Sequence, residues 1–424
     1  MTYAEILSHI YALGRFGIKP GLERISRLMA ALGDPQKNLP AVHVVGTNGK
    51  GSTASFLSSI LTTAGYRTGL FTSPHLISFT ERIRIDGREI SEDSVVHLAQ
   101  RVMAAAPPDT TFFEMITALA VLYFAEEGVD IAVFEAGMGG SRDATNILDG
   151  LLTVITPVAL DHVEYLGADV PEIAAEKASI CKPGTPLVSA RQVSSAGEAI
   201  AAKAAGIGAT LYRCGSDFDA CWKAGKLEYR GVGVTLHEVV PGLHGRYQSC
   251  NAATALAAAE VLSGIGFPLE RAALVGGVEN ASWPGRMEMF DGEPRILLDG
   301  AHNPAGAEAL ADALAEIPRG KLVMVIGVMA DKDREPLLSA LLPLADLVVT
   351  VSPALERALP AAELAESCRR QGAAVEIGGS VAGGVERARE LAGADGLVVI
   401  CGSLFTVGEA RGHLLSRPFE AFRG

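Results

Sequence analysis

Val44-Val45-Gly46-Thr47-Asn48-Gly49-Lys50-Gly51-Ser52-Thr53 joins an apolar run to a helical pattern through a glycine-rich turn. Val42 to Val45 read as a buried parallel strand, and residues 53–64 place Phe56, Leu57, Ile60 and Leu61 at helical spacing. The turn therefore opens a helix N-terminus, where unpaired backbone N–H groups and the helix dipole favour an anion. Glycine at 46, 49 and 51 permits positive φ and close approach of phosphate oxygens, Lys50 supplies a cation, and Ser52 a hydroxyl suited to Mg²⁺. Thr47, Asn48, Gly49, Lys50, Gly51 and Ser52 thus form a candidate phosphate cradle. The common phosphate-loop spacing is Gly, four residues, Gly-Lys-Ser/Thr. Here Gly46 and Gly49 enclose two residues and Gly51 separates Lys50 from Ser52, so the turn is a variant form.

The remaining chain limits what such a cradle can serve. At 424 residues it exceeds what one core usually fills, and a hydrophobic fraction of 49% excludes general disorder. A formal charge of −13 argues against nucleic acid or anionic membranes as partners and points to small molecules. The six cysteines show no C-x-x-C spacing and sit among apolar neighbours, as buried free thiols do in a reducing compartment. Neither a leader-like N-terminus nor a run of about 18 apolar residues is present, so a cytoplasmic protein is expected.

Strand and helix patterns alternate along most of the chain, predicting an α/β fold with two domains. Residues 1–287 read as an N-terminal phosphate-loop ATPase-type domain with a mainly parallel sheet, interrupted near residues 227–236 by a small antiparallel region. Residues 288–295, containing Asp291-Gly292-Glu293-Pro294, read as a linker, and 296–424 as a smaller Rossmann-like domain. Asn251 is expected to N-cap an alanine-rich helix over 251–262.

Several polar groups fall at C-terminal strand ends, the edge where α/β sheets bind ligands. Ser73 follows one apolar strand in Thr72-Ser73-Pro74-His75, Glu135 closes a second, and Asp161-His162 follows a third. A nucleoside triphosphate with Mg²⁺ needs such hard ligands beside its cradle. His162 is an unusual Mg²⁺ ligand, which points to Mn²⁺ tolerance or to an indirect role. Lys177 reads as a phosphate partner, as a lysine modified by CO₂, or as an ordinary solvated helix lysine. Glu135 and Asp299 each also read as helix-capping acids. Arg82 and Arg84 are expected on a solvated strand face. Gly137-x-Gly139 invites a dinucleotide reading, but Arg142 occupies the sixth position, which disfavours a nicotinamide oxidoreductase.

Taken in order, Gly46 to Thr53, Ser73-Pro74-His75-Leu76 with Thr80-Glu81-Arg82-Ile83, Glu135 to Asn146 and Asp161-His162-x-x-x-Leu166-Gly167 form an extended motif set. Glu176-Lys177-Ala178, Pro284-Gly285-Arg286 and Asp299-Gly300-Ala301-His302-Asn303-Pro304 complete it. The set resembles the folylpolyglutamate synthase and dihydrofolate synthase family of the Mur ligase superfamily from about residue 13 to 410. The resemblance implies an ATP-dependent ligase that adds L-glutamate to a folate carboxylate through an acyl phosphate. It implies catalytic roles for Lys50, Lys177 and His302, and ATP contacts from the cradle, Asn251, Arg286 and Asp299. Ser73, Glu135 and His162 would hold Mg²⁺, and Lys177 would be carbamylated to support a second ion.

Phe113 and Met115 fit either a pterin pocket or plain core packing, and His75 is a further candidate folate contact. Bifunctional relatives that accept dihydropteroate carry an aspartate before Leu-Glu-Arg, whereas Ile18-Lys19-Pro20-Gly21 stands here; many relatives with Lys-Pro-Gly are nonetheless bifunctional, so both acceptors stay open. The alternatives are a Mur-type ligase acting on a UDP-sugar peptide and an ATP-hydrolysing switch. A monomer is expected.

Overall fold

In the computed structural model, which describes residues 1–17, 19 and 21–420, the apolar runs become two sheets. The first contains Ala41–Val45 (β1), Thr68–Phe71 (β2), Ile83–Ile85 (β3), Arg88–Glu89 (β4), Ile131–Glu135 (β5), Gly150–Ile155 (β6), Leu187–Ser189 (β7) and Leu211–Arg213 (β8). Their order is β4-β3-β2-β5-β1-β6-β7-β8, with β3 and β4 antiparallel and the rest parallel. Asp86 and Gly87 both take positive φ, 51° and 75°, which is the geometry a two-residue hairpin between β3 and β4 requires.

Helices cover both faces of this sheet, as burial of parallel strands demands. Val42 and Val44 pack with Phe56, Leu57 and Ile60 of the helix Lys50–Thr63 and with the alanine-rich helix Gln248–Gly264. The other face, with Phe71 and Phe134, packs against the helix Phe112–Glu126 and the N-terminal helices. Small residues let elements approach closely: a Cβ on Gly277 would lie 2.3 Å from Ile60 Cα. Asp219–Lys223 (β9), Lys226–Arg230 (β10) and Thr235–Val239 (β11) form the small antiparallel sheet, ordered β11-β10-β9.

The second sheet comprises Glu288–Phe290 (β12), Arg295–Leu298 (β13), Leu322–Ile326 (β14), Leu347–Ser352 (β15), Val375–Ser380 (β16) and Leu397–Cys401 (β17), in the order β12-β13-β17-β14-β15-β16. All pairings are parallel except β12 with β13. The stretch 288–295 thus contributes an edge strand to this sheet before turning through Asp291 to Pro294.

Two expectations are corrected. The alanine-rich helix starts at Gln248 with Tyr247 at its N-cap, so Asn251 lies within its first turns and spends its side chain elsewhere. Arg82 is 1% exposed, because its Nε donates to His75 and its guanidinium lies 5.4 Å from the Phe112 ring centre. Arg84 stays mostly covered, its guanidinium 5.5 Å from the Trp283 ring centre. No helix among the described residues is long and apolar enough to cross a membrane. Ile18 and Pro20 lie outside the described residues.

Candidate active site

The glycine turn runs from the end of β1 into the helix Lys50–Thr63, with Gly49 at the N-cap and φ of 82°. Its shape is enforced from outside. The Thr47 and Asn48 N–H groups donate to Pro157 O at 3.0 and 3.2 Å, and the Thr47 hydroxyl lies 3.1 Å from both the Ala159 N–H and its carbonyl. A Cβ on Gly49 would sit 2.3 Å from Asn251 Oδ1, and one on Gly51 would sit 2.8 Å from the Trp283 indole. Asn251 is held by Nδ2–H donation to Gln248 Oε1 at 2.8 Å, and Gln248 in turn lies 3.4 Å from Ser52 Oγ. Lys50 opens the helix, its ammonium donating to Thr47 O at 3.2 Å.

The strand ends deliver the polar groups. Glu135, buried at the end of β5, accepts the Ser73 N–H on Oε2 at 3.1 Å. Burial raises its carboxyl above the usual range against the pull of Lys50, the Ser73 N–H, Arg286 and Arg82. His162 follows β6 with φ of 51°, its ring exposed and 3.7 Å from Asp161. Lys177, near the C-terminal end of the helix Val170–Ala178, is 5% exposed, contrary to a solvated helix lysine. Burial, with the nearby Lys50 charge, lowers its amine to about 7. Glu176 beside it accepts the Gly140 and Ser141 N–H groups and the Ser141 hydroxyl, fixing the loop after β5. Gly140 is needed there, since a Cβ would meet Glu176 O at 2.2 Å.

The second domain closes over these groups. Asn303 Nδ2–H donates to Asn48 Oδ1 at 2.8 Å, directly clasping the glycine turn, while Asn303 Oδ1 caps the helix Pro304–Ala315 through the Gly306 N–H. Lys332 Nζ pairs with Asp161 at 3.1 Å. Asp299, 3% exposed, accepts from Tyr247 Oη at 2.7 Å, Met287 N–H at 3.0 Å and Ala301 N–H at 2.9 Å, an arrangement that organises the domain junction. His302 donates from Nδ1 to Gly300 O at 2.8 Å, leaving Nε2 as the acceptor nitrogen; burial and then the neighbouring cations hold it at about 4. Arg286 lies close against Gly300, where a Cβ would overlap its guanidinium.

Beside this cleft lies a cavity of about 520 Å³ lined by Phe112, Phe113, Glu114, Met138, Arg142, Tyr165 and Leu166, and reaching Ser73, Arg82 and His162. A smaller cavity shares Ser73 and is lined by Gly51, Glu135, Trp283 and Arg286. Phe113 therefore faces the large cavity, whereas Met115 is core and His75 lies under the smaller cavity, accepting from Arg82 Nε at 2.8 Å. Arg82, Lys332 and Asn303 are site residues that sequence reasoning missed; Arg82 and Asn303 stood inside recognised motifs, while Lys332 carried no signal of its own.

Ser73, Glu135 and His162 offer a hydroxyl, a carboxylate and one imidazole. That donor set fits a hard cation only when phosphate oxygens or water complete the shell. Consistently, no cluster of three or more His, Cys, Asp or Glu able to hold a metal by itself occurs among the described residues. The arrangement as a whole can hold a polyanion between Lys50, Lys177, Lys332 and Arg286, next to an aromatic-lined acceptor space.

The sequence matches the Mur ligase middle domain over residues 44–259 and the Mur ligase glutamate ligase domain over 285–404. A Bacillus subtilis protein described as dihydrofolate synthase/folylpolyglutamate synthase is 35% identical, covering 97% of this chain and 99% of that protein. A Haloferax volcanii protein described as a probable bifunctional folylpolyglutamate synthase/dihydropteroate synthase is 38% identical over 97% of this chain, and the chain spans about half, 50%, of its length. The crystal structure of Mycobacterium tuberculosis folylpolyglutamate synthase complexed with ADP and AMPPCP superposes with a TM-score of 0.90 at 36% identity, covering 99% of this chain and 100% of that one.

Proposed function

The chain belongs to the folylpolyglutamate synthase and dihydrofolate synthase family of Mur ligases, and on that premise we propose that it is an ATP-dependent ligase joining L-glutamate to a folate carboxylate. The observation that carries the reading is that Ser73 lines both the large aromatic cavity and the small cavity beside Glu135 and Arg286. An acceptor bound in the first therefore presents its carboxylate to phosphates held over the glycine turn. Phe112 and Phe113 suit the flat pterin and benzoyl rings. The same cavity is proposed to take dihydropteroate, in keeping with the double name of the Bacillus relative.

A free carboxylate is a poor acyl donor. Transfer of the γ-phosphoryl group to its oxygen gives an acyl phosphate and ADP. The glutamate amine then attacks the carbonyl and loses one proton, and the tetrahedral adduct collapses to the amide by expelling phosphate carrying that oxygen. Lys50, the helix N-terminus and Arg286 face the concentrated negative charge of these steps. Thr47 to Ser52, Asn251, Arg286 and Asp299 are assigned to ATP, the last through its hold on the domain junction. His302 Nε2, neutral and an acceptor, suits the incoming ammonium. Ser73, Glu135 and His162 are assigned to Mg²⁺, which when bound neutralises phosphate charge. Lys177, whose burial favours the neutral amine, is proposed to carry a CO₂-derived carbamate for a second ion. Closure of residues 296–424 on 1–287 through Asn48, Asn303, Asp161 and Lys332 would keep water from the acyl phosphate. A cytoplasmic monomer is part of the same proposal.

Phosphate release measured with ATP and Mg²⁺ tests the reading: it should require a folate and L-glutamate together. Hydrolysis without either, or dependence on a UDP-sugar peptide, would overturn it.

A further inference from the structure

Between β2 and β3 the chain leaves the first domain, inserts Leu76 and Ile77 into the apolar core of the second beside Leu298 and Val407, and returns to bury Arg82. The helix Leu404–Leu414 presses on this excursion so closely that a Cβ on Gly408 would lie 2.1 Å from Leu76 O. Two carboxylates fasten it. Glu81 accepts the N–H groups of Leu76, Ile77 and Ser78 at 2.8, 3.0 and 3.2 Å. Glu420, almost 340 residues further along the chain, accepts the Phe79 N–H on Oε2 at 2.7 Å and donates its own N–H to Ile77 O at 2.9 Å.

The third contact of Glu420 reaches the acceptor cavity through a relay. Arg82 Nε–H donates to His75 Nδ1 at 2.8 Å, so Nδ1 carries no proton and the ring proton sits on Nε2. Nε2–H then points to the Glu420 carbonyl, 3.4 Å away. At the other end, Arg82 forms part of the wall of the 520 Å³ cavity.

We propose that Glu420 is a positioning residue for the acceptor: its clamp on the excursion fixes the His75 tautomer and, through His75, the direction of the Arg82 guanidinium at the cavity wall. Docking of the second domain's final segment is thereby coupled to acceptor binding. The phosphate turn is shaped separately, by Pro157, Asn251 and Asn303. This inference rests on the reading of the large cavity as the acceptor site.

Steady-state kinetics of Glu420→Ala, Glu420→Gln and the double variant with His75→Phe test it, with thermal melting in parallel. Glu420→Ala should raise the acceptor KM about tenfold, the worth of one lost half-buried hydrogen bond to a carboxylate, while the KM for ATP moves less than about twofold. Glu420→Gln, whose amide oxygen still accepts the Phe79 N–H, should restore the acceptor KM. The double variant should be no worse than His75→Phe alone, because loosening the clamp moves the Glu420 carbonyl and can reach Arg82 only through His75. Equal rises in both KM values, no change in either, failure of Gln to rescue, or full additivity would each overturn the proposal. If the parent protein lacks folate-dependent turnover the cavity reading itself falls; if the parent turns over and Glu420→Ala is silent, only the clamp does.

Discussion

Gly49→Ala should damage the site through two separable effects. Gly49 has φ of 82°, a left-handed conformation that costs an L-residue about 1–2 kcal/mol. The new methyl would also lie 2.3 Å from Asn251 Oδ1, so the buried Asn251 amide must move, and with it the bond to Gln248 and the approach to Thr53 Oγ1. Leaving such a group unsatisfied costs about 1–3 kcal/mol, so stability should fall by about 2–5 kcal/mol in urea unfolding. Because the turn's N–H groups move with the amide, nucleotide Kd by calorimetry should rise by at least about tenfold. Gly65→Ala is the control: φ is 93° but nothing lies within 4 Å of the added methyl, so it should cost only the backbone share and leave nucleotide binding intact. Equal losses in the two variants, or unchanged nucleotide affinity in Gly49→Ala, would refute the argument that Asn251 braces the turn.

Lys50→Ala should cut turnover with either acceptor by at least about a hundredfold, since it removes a cation aimed at developing phosphate charge; phosphate release near the parent rate would refute the cradle assignment. His43 is fully buried, and burial holds it at about 4 against an ordinary 6.5, so between these values the unfolded chain binds the extra proton and stability falls on acidification. That share is about 3 kcal/mol, and His43→Gln, which keeps a donor for Thr145 O, should flatten the pH dependence of unfolding by about that amount between pH 6.5 and pH 4. With ¹³C-bicarbonate, a carbamate resonance should appear in NMR spectra of the parent and vanish in Lys177→Met; its persistence in the variant would place the modification elsewhere.

How much of this was legible differs by physical cause. Leu322–Ile326, Leu397–Cys401 and Val381–Ala392 follow the strand–helix alternation expected over 296–424, because continuous β-branched runs and a small-residue helix start leave little ambiguity. The helices Glu92–Ala105 and Leu404–Leu414 drew no expectation. In the latter, glycines 408 and 412 break the pattern, and their reason, contact with the 73–82 excursion and the chain's final segment, is tertiary.

Within the site, the strand–turn–helix shape of Gly46 to Ser52 was readable because adjacent residues set its backbone geometry. Arg82 was misjudged because Arg82-Ile83-Arg84 alternates as an exposed strand does, and nothing nearby announces that His75 and Phe112 will enclose it. The Asn48–Asn303 clasp joins amides 255 positions apart, and the Asp161–Lys332 pair spans 171, separations at which one sequence holds no pairing signal. Asp299 was read as a helix-capping acid or an ATP contact, yet its three internal donors could only be counted once Tyr247 and Met287 were in place.

The reaction proposed here turns on activation of the acceptor carboxylate as an acyl phosphate. Turnover with a folate labelled with ¹⁸O in its terminal carboxylate tests it directly. Mass spectrometry of the released inorganic phosphate should find one carboxylate oxygen in each phosphate formed. Phosphate that carries oxygen from solvent water instead, with the label retained in the acceptor, would contradict the account.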